Sequence, residues 1–118
     1  RRGDAGLRAI LSMDFDRFKL INDVHGHQVG DELLCAIGKR LRTMVREQDL
    51  IARFGGDEFI ILLVDAGSAE AVRQVTARIS DALAQPHVLA NGTELTCTAS
   101  IGVIVLVLGY LTVPLLLS

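Results

Sequence analysis

Residues Arg53–Phe59 read Arg-Phe-Gly-Gly-Asp-Glu-Phe, two glycines and two acids set between two apolar runs. Adjacent glycines between strand-like runs (50–52 before, 59–64 after) predict a hairpin, because tight hairpin turns demand the positive φ that glycine adopts without a Cβ penalty. This feature commits residues 50–64 to an antiparallel strand pair. The absent Cβ atoms also leave its tip open to close approach by a ligand. Asp57 and Glu58 follow directly, so carboxylates able to take a divalent cation or a proton stand where that ligand would arrive. By itself such a turn would read as a solvated loop with ordinary surface acids. A second cluster upstream argues otherwise.

The largely apolar run Leu7–Met13 ends in Asp14-Phe15-Asp16, which places carboxylates at the exit of a predicted strand. Hard oxygen donors in such positions are how Mg²⁺ is commonly presented to phosphates. Lys19 follows within a turn and supplies a mobile positive charge, although a lysine on a short helix is usually just solvated. Asn22, His27 and Asp31 then recur through a segment interrupted by Gly26 and Gly30. An amide, an imidazole and a carboxylate are the donors and acceptors needed to read the edge of a purine. A histidine between two glycine-bounded turns is more often a local hydrogen-bond filler. Asp16 and Asp23 read as capping or fold-supporting groups, and Phe18 and Ile21 as core.

The remaining pattern supplies the scaffold. Residues 17–24 predict a short helix stopped by Gly26. Residues 29–45 predict a longer one, with Leu33, Leu34, Ile37, Leu41 and Met44 along one face. Ser68 is a suitable N-cap for a helix over 69–84 that turns Val72, Val75, Ile79 and Leu83 inward. Strands are predicted at 87–89 and 94–103 around Asn91-Gly92. The order predicts an α+β domain with a mainly antiparallel sheet flanked by helices. A chain of 118 residues suffices for one core. Its net charge of −2 excludes a nucleic-acid-coating protein, so no nucleic acid is expected as partner. Cys35 and Cys97 have no metal-ligand spacing and fall in apolar periodic segments, predicting reduced core thiols in a cytoplasmic protein.

The pairing of D-x-D-x-F-K-x-I-N-D-x-x-G-H-x-x-G-D (Asp14–Asp31) with R-x-G-G-D-E-F (Arg53–Phe59) resembles the GGDEF domain, the diguanylate cyclase family, from Leu7 to Val103. The resemblance implies a palm-like nucleotidyl-cyclase core with the Gly-Gly-Asp-Glu-Phe turn at the tip of its central hairpin. It implies condensation of two GTP into cyclic di-GMP, a bacterial second messenger, by a homodimer in which each subunit holds one GTP. By that likeness Asp14, the Phe15 carbonyl and Asp57 hold Mg²⁺ (or Mn²⁺), and Asp57 with Glu58 beside it accepts the proton of a ribose hydroxyl. Lys19 neutralises developing charge. Asn22, His27 and Asp31 read guanine, while Gly55 and Gly56 admit the substrate. Arg46-x-x-Asp49 resembles the inhibitory site at which cyclic di-GMP restrains the enzyme.

The chain departs from that family at both ends. It begins just ahead of the first strand, without the family's N-terminal helix, and no charged residue occurs after Glu94. We therefore read 1–103 as the GGDEF-like domain and 104–118 as an anomalous apolar tail. In descending order, the tail reads as a truncated or frame-shifted end, an abnormal hydrophobic extension, or a membrane contact. The family's basic C-terminal helix has no counterpart here. The alternative function is thus a weak or inactive module that binds GTP or cyclic di-GMP without turnover, and little activity is expected of this chain. The domain would be cytoplasmic, or the cytoplasmic module of a larger membrane-associated protein.

Overall fold

The computed structural model describes residues 6–107 and 112–117. Strand β1 (Leu7–Phe15) leads into helices α1 (Phe18–His25) and α2 (His27–Met44), followed by the hairpin β2 (Leu50–Phe54) and β3 (Glu58–Leu63). Helix α3 (Ala69–Leu83), the short strands β4 (His87–Val88) and β5 (Glu94–Leu95), and strands β6 (Ala99–Val107) and β7 (Thr112–Leu117) complete the order. The five-stranded sheet runs β2-β3-β1-β6-β7, and each of its pairings is antiparallel. β4 and β5 form a separate two-stranded ribbon. This is the α+β arrangement expected from the pattern.

Period-two alternation sorts the sheet into two faces. Ala9, Leu11, Met13 and Phe15 of β1, Phe59, Ile61 and Leu63 of β3, and Ile101, Val103 and Val105 of β6 join Leu33, Leu34, Ile37 and Leu41 of α2 and Val72, Ile79 and Leu83 of α3 in one buried cluster. The intervening residues of β1 and β3, among them Ser12, Asp14, Glu58 and Ile60, lie on the opposite face. One consequence matters for function. Two segments distant in sequence, the exit of β1 and the start of β3, are locked side by side in register, Asp14 opposite Glu58 and Met13 opposite Phe59. The rings of Phe15 and Phe59 fasten this end edge to face, with centroids 5.7 Å apart.

Boundaries shift where tertiary contacts outweigh local pattern. α2 begins at His27, because Gly26 (φ 94°) ends α1 and turns the chain at once into the next helix. The strand expected over 94–103 divides into β5 and β6, and β6 continues through residues 104–107, where it pairs along β1. Thr112–Leu117 then pair with β6 as β7. Ser68 caps α3 as predicted, its Oγ accepting from the Ala71 N–H at 3.0 Å. Cys97 is buried, but Cys35 is exposed. Leu33, Leu34, Ile37 and Leu41 turn α2 toward the core and leave Cys35 on the outer side. Among the described residues, no helix is long and apolar enough to cross a membrane.

Candidate functional site

At the tip of the β2–β3 hairpin the chain turns through Gly55, Gly56 and Asp57, with φ of 59° at Gly55 and 98° at Gly56. Both values lie in the region that L side chains avoid, so the turn needs these two glycines in this place. No atom lies within 4 Å of where a Cβ would sit on either of them, which leaves the backbone bare to solvent. The turn faces the α1–α2 corner across a pocket of about 430 Å³ lined by Phe18, Lys19, Asn22, His27, Asp31, Leu34, Arg53, Gly55, Gly56 and Asp57. A volume of that size admits a small-molecule ligand. The fold thus gathers seven candidates into one concavity: Lys19, Asn22, His27 and Asp31 from the helices, and Gly55, Gly56 and Asp57 from the turn.

Arg53 joins them, and the sequence reasoning did not place it there. Its Nε donates to the Gly56 carbonyl at 3.0 Å, and an Nη lies 3.9 Å from Asp31 Oδ1. The side chain braces the turn with one edge and faces a candidate base-reading carboxylate with the other. The signal was available. Arg53 opens the motif itself and shares strand parity with Phe59, its cross-strand partner. Lys19 is therefore not the pocket's sole cation.

The two acids of the turn diverge. Asp57 lines the pocket, whereas Glu58 stands opposite Asp14 on the face away from the buried core. Directly opposed carboxylates repel. Ser12 Oγ donates to Glu58 Oε2 at 3.1 Å, and among the described residues neither Asp14 nor Glu58 has a basic side chain in ion-pair contact. A pair of hard, negatively charged oxygens with no cationic neighbour suits a divalent cation. Among the described residues, no three acidic, histidine or cysteine side chains close into a metal cage. The donor set therefore suits an ion that keeps water or ligand oxygens in its shell, as Mg²⁺ does. Asp16 is set aside for the fold, as expected, accepting from Thr98 Oγ1 at 3.0 Å and Ser100 Oγ at 3.1 Å. Its main-chain oxygen accepts from the Cys97 thiol at 3.3 Å. Burial first, and the charge of Asp16 second, push that thiol up to about 11, so Cys97 stays protonated and inert.

Arg46 and Asp49 lie at the far end of the hairpin, where Leu50 pairs with Leu62. The Asp49 side chain is 1% exposed and that of Arg46 48%. Asp49 accepts the Val64 N–H at 3.0 Å, the Arg46 N–H at 2.8 Å and the Arg46 guanidinium at 3.2 and 3.4 Å. Arg46 also donates to the carbonyls of Val64 and Asp65. Burial raises the Asp49 carboxyl. The Arg46 side-chain bond, the two N–H groups and the Arg46 charge together outweigh that and hold it below its ordinary 3.8. A pocket of about 240 Å³ adjoins the pair, lined by apolar residues of α2, β3 and α3 together with Arg78.

The sequence matches the family described as "Diguanylate cyclase, GGDEF domain" over residues 4–115. Among curated proteins it is 43% identical over 97 residues to the uncharacterized protein YhcK of Bacillus subtilis, covering 80% of this chain and 26% of that one. It is 41% identical over 95 residues to the bifunctional diguanylate cyclase/cyclic di-GMP phosphodiesterase MucR of Pseudomonas aeruginosa, covering 80% of this chain and 14% of MucR. The crystal structure of the GGDEF domain of PA1120 from Pseudomonas aeruginosa superposes with a TM-score of 0.81 at 38% identity, over 85% of this chain and 62% of that one. The chain spans about a quarter or less of the length of these two curated relatives. The palm-like core expected from the motifs is thus the fold observed.

Proposed function

This chain belongs to the GGDEF family of diguanylate cyclase domains, and we propose that it condenses two molecules of GTP into cyclic di-GMP with release of pyrophosphate. The observation that carries the reading is the gathering of Lys19, Asn22, His27, Asp31, Arg53 and Asp57 around a Gly-Gly turn whose backbone is bare. Asn22, His27 and Asp31 would hold guanine: the carboxylate accepts from the base N1 and exocyclic amine, which adenine cannot offer. Gly55 and Gly56 let the phosphates approach the main chain. Asp57 would accept the proton of a ribose 3′-hydroxyl, with Glu58 beside it, as the new bond to phosphorus forms and the bond to pyrophosphate breaks. Lys19 and Arg53 would neutralise the charge that gathers on the leaving group.

Asp14, the Phe15 carbonyl and Asp57 are the groups that would hold Mg²⁺ or Mn²⁺, with Glu58, which stands opposite Asp14 in the sheet, as a further donor. A divalent cation there supplies charge neutralisation on the triphosphate. Each domain holds one GTP, so the reaction requires two copies facing one another, each 3′-oxygen attacking the partner's α-phosphorus. GTP as substrate places the domain in the cytoplasm. Product feedback would fall to Arg46 and Asp49. The half-exposed guanidinium is the part a product phosphate or guanine could reach, and Asp49 would act by holding it in place.

The test is turnover of GTP with Mg²⁺ by this chain, read by chromatography of the nucleotides, alongside direct binding of a non-hydrolysable GTP analogue. Cyclic di-GMP that disappears in Asp57→Ala supports the reading. Binding without product would reduce it to a guanine-nucleotide-binding module, and no binding at all would overturn it.

A further inference from the structure

One residue of the pocket, Asn22, has a sealed polar atom with nothing to bond. Asn22 Oδ1 is buried and has no hydrogen-bond partner. What stands against it is Gly30, a buried residue in the first turns of α2. A Cβ on Gly30 would lie 1.8 Å from Asn22 Oδ1, 3.0 Å from Asn22 Cγ and 3.3 Å from Phe18 Cζ. All three atoms belong to α1, so the bare Cα of Gly30 is the spot on α2 where side chains of α1 nest.

The backbone does not require glycine here. Gly30 sits within a regular α-helix and has no positive φ, unlike Gly26, which precedes the helix. At such a position alanine is the better helix former, by about 0.5–1 kcal/mol. Glycine at Gly30 is therefore a local cost, and the contact that explains most of it is the Asn22 amide, with the Phe18 ring second. An amide has two ends. One is seated on α2, and the residue lines the pocket with the rest. A half-turn of the amide exchanges oxygen and nitrogen and leaves this division unchanged.

We infer that Gly30 is a positioning residue for the purine base: its missing Cβ is the seat that fixes the Asn22 amide in the pocket. A methyl group there must drive the amide outward by on the order of 1 Å, enough to cost a bound ligand its alignment. The inference rests on the guanine-nucleotide reading, and its test separates the two. Gly30→Ala, Asn22→Ala and the double variant are compared with the unaltered chain by titration with the GTP analogue and with its ATP counterpart, and by thermal unfolding.

Gly30→Ala should weaken guanine-nucleotide affinity at least about tenfold and erode the preference over adenine, without a gain in Tm. In the Asn22→Ala background the same substitution should leave affinity unchanged and shift Tm upward relative to its effect in the unaltered chain, because only the 3.3 Å approach to Phe18 Cζ then opposes helix propensity. A role confined to folding would shift Tm and leave the affinity and base preference of the folded protein alone. If Gly30→Ala raises Tm in the unaltered chain and affinity stays within twofold, the inference is overturned. The same holds if its effects are equal in both backgrounds. Should Gly30→Ala alone fail to fold, rescue by Asn22→Ala supports the seat and absence of rescue overturns it. If the unaltered chain binds no guanine nucleotide, the functional reading fails on that measurement, and with it the positioning role.

Discussion

The two ends of the β2–β3 hairpin carry similar residues and use them in opposite ways. At the start of β2, the aspartate is spent on the fold and on holding its half-exposed arginine in place: every contact of the Asp49 carboxylate is internal, and it is sealed from water. At the turn, an arginine and several carboxylates stay accessible. Arg53 and Asp31 lie 3.9 Å apart with side chains 40% and 72% exposed, and among the described residues Asp14 and Glu58 face each other with no basic side chain in ion-pair contact. A polar group that is buried and saturated contributes stability and little else. One left exposed, opposed or orphaned at a concavity is available for a ligand. Charge and composition do not separate the two ends; satisfaction does.

The contrast can be broken most decisively at the acids. Asp57→Ala should lower cyclase turnover by at least about 10²-fold, the scale of a lost general base, while its unfolding free energy stays within about 0.5 kcal/mol. Asp49→Ala should do the reverse. It strands the Val64 N–H and the Arg46 guanidinium, and should cost about 3 kcal/mol in urea unfolding. If Asp57→Ala destabilises as much as Asp49→Ala, the division into a working end and a structural end is wrong.

Acid titration sharpens the same point. The Asp49 carboxyl is held below its ordinary 3.8, so its contribution is present above that value and is lost as pH falls through the lower folded value. Asp49→Asn should remove that part of the acid transition. At higher pH a second decline is expected from His87, which is 1% exposed with both ring nitrogens unpartnered. Burial and then the charge of Arg40 depress its pKa below 6.5, while the Leu83 carbonyl opposes them without hydrogen-bond geometry. The unfolded chain takes up the proton first, so stability should fall as pH drops below 6.5 toward the folded value. Unfolding of His87→Leu followed from pH 8 to 5 should lack that decline; an identical slope would remove His87 from the account.

The smallest effect belongs to Arg53. Its pair with Asp31 is exposed and long, worth less than about 1 kcal/mol, so Arg53→Gln should leave Tm unchanged while GTP-analogue affinity drops several-fold. Unchanged affinity would leave Arg53 a brace for the turn alone.

Much of this was legible beforehand because it depends on local chemistry. The Gly55-Gly56 turn, the Ser68 cap and the inward faces of α2 and α3 follow from φ preference, capping and helical periodicity. The residues of the pocket were readable as types suited to a purine and a triphosphate. Cys35 was misplaced because it was read by the company of its apolar neighbours, when helical spacing sets it outside the stripe of Leu33, Leu34, Ile37 and Leu41. Arg53 was passed over because its reach to Gly56 and Asp31 depends on how the hairpin meets α2.

The sequence by itself determined that a glycine-tipped hairpin and an acid-ended strand would exist, since backbone sterics and side-chain alternation act within a few residues. Only the tertiary structure decided which acids meet. Register between β1 and β3 sets Glu58 against Asp14 and leaves Asp57 to the pocket. Packing of α1 on α2 seats Asn22 against Gly30. Burial turns the Arg46–Asp49 pair into a clamp. Each of these depends on atoms brought together from distant parts of the chain, and whether a polar group ends up satisfied or spare is fixed by that assembly.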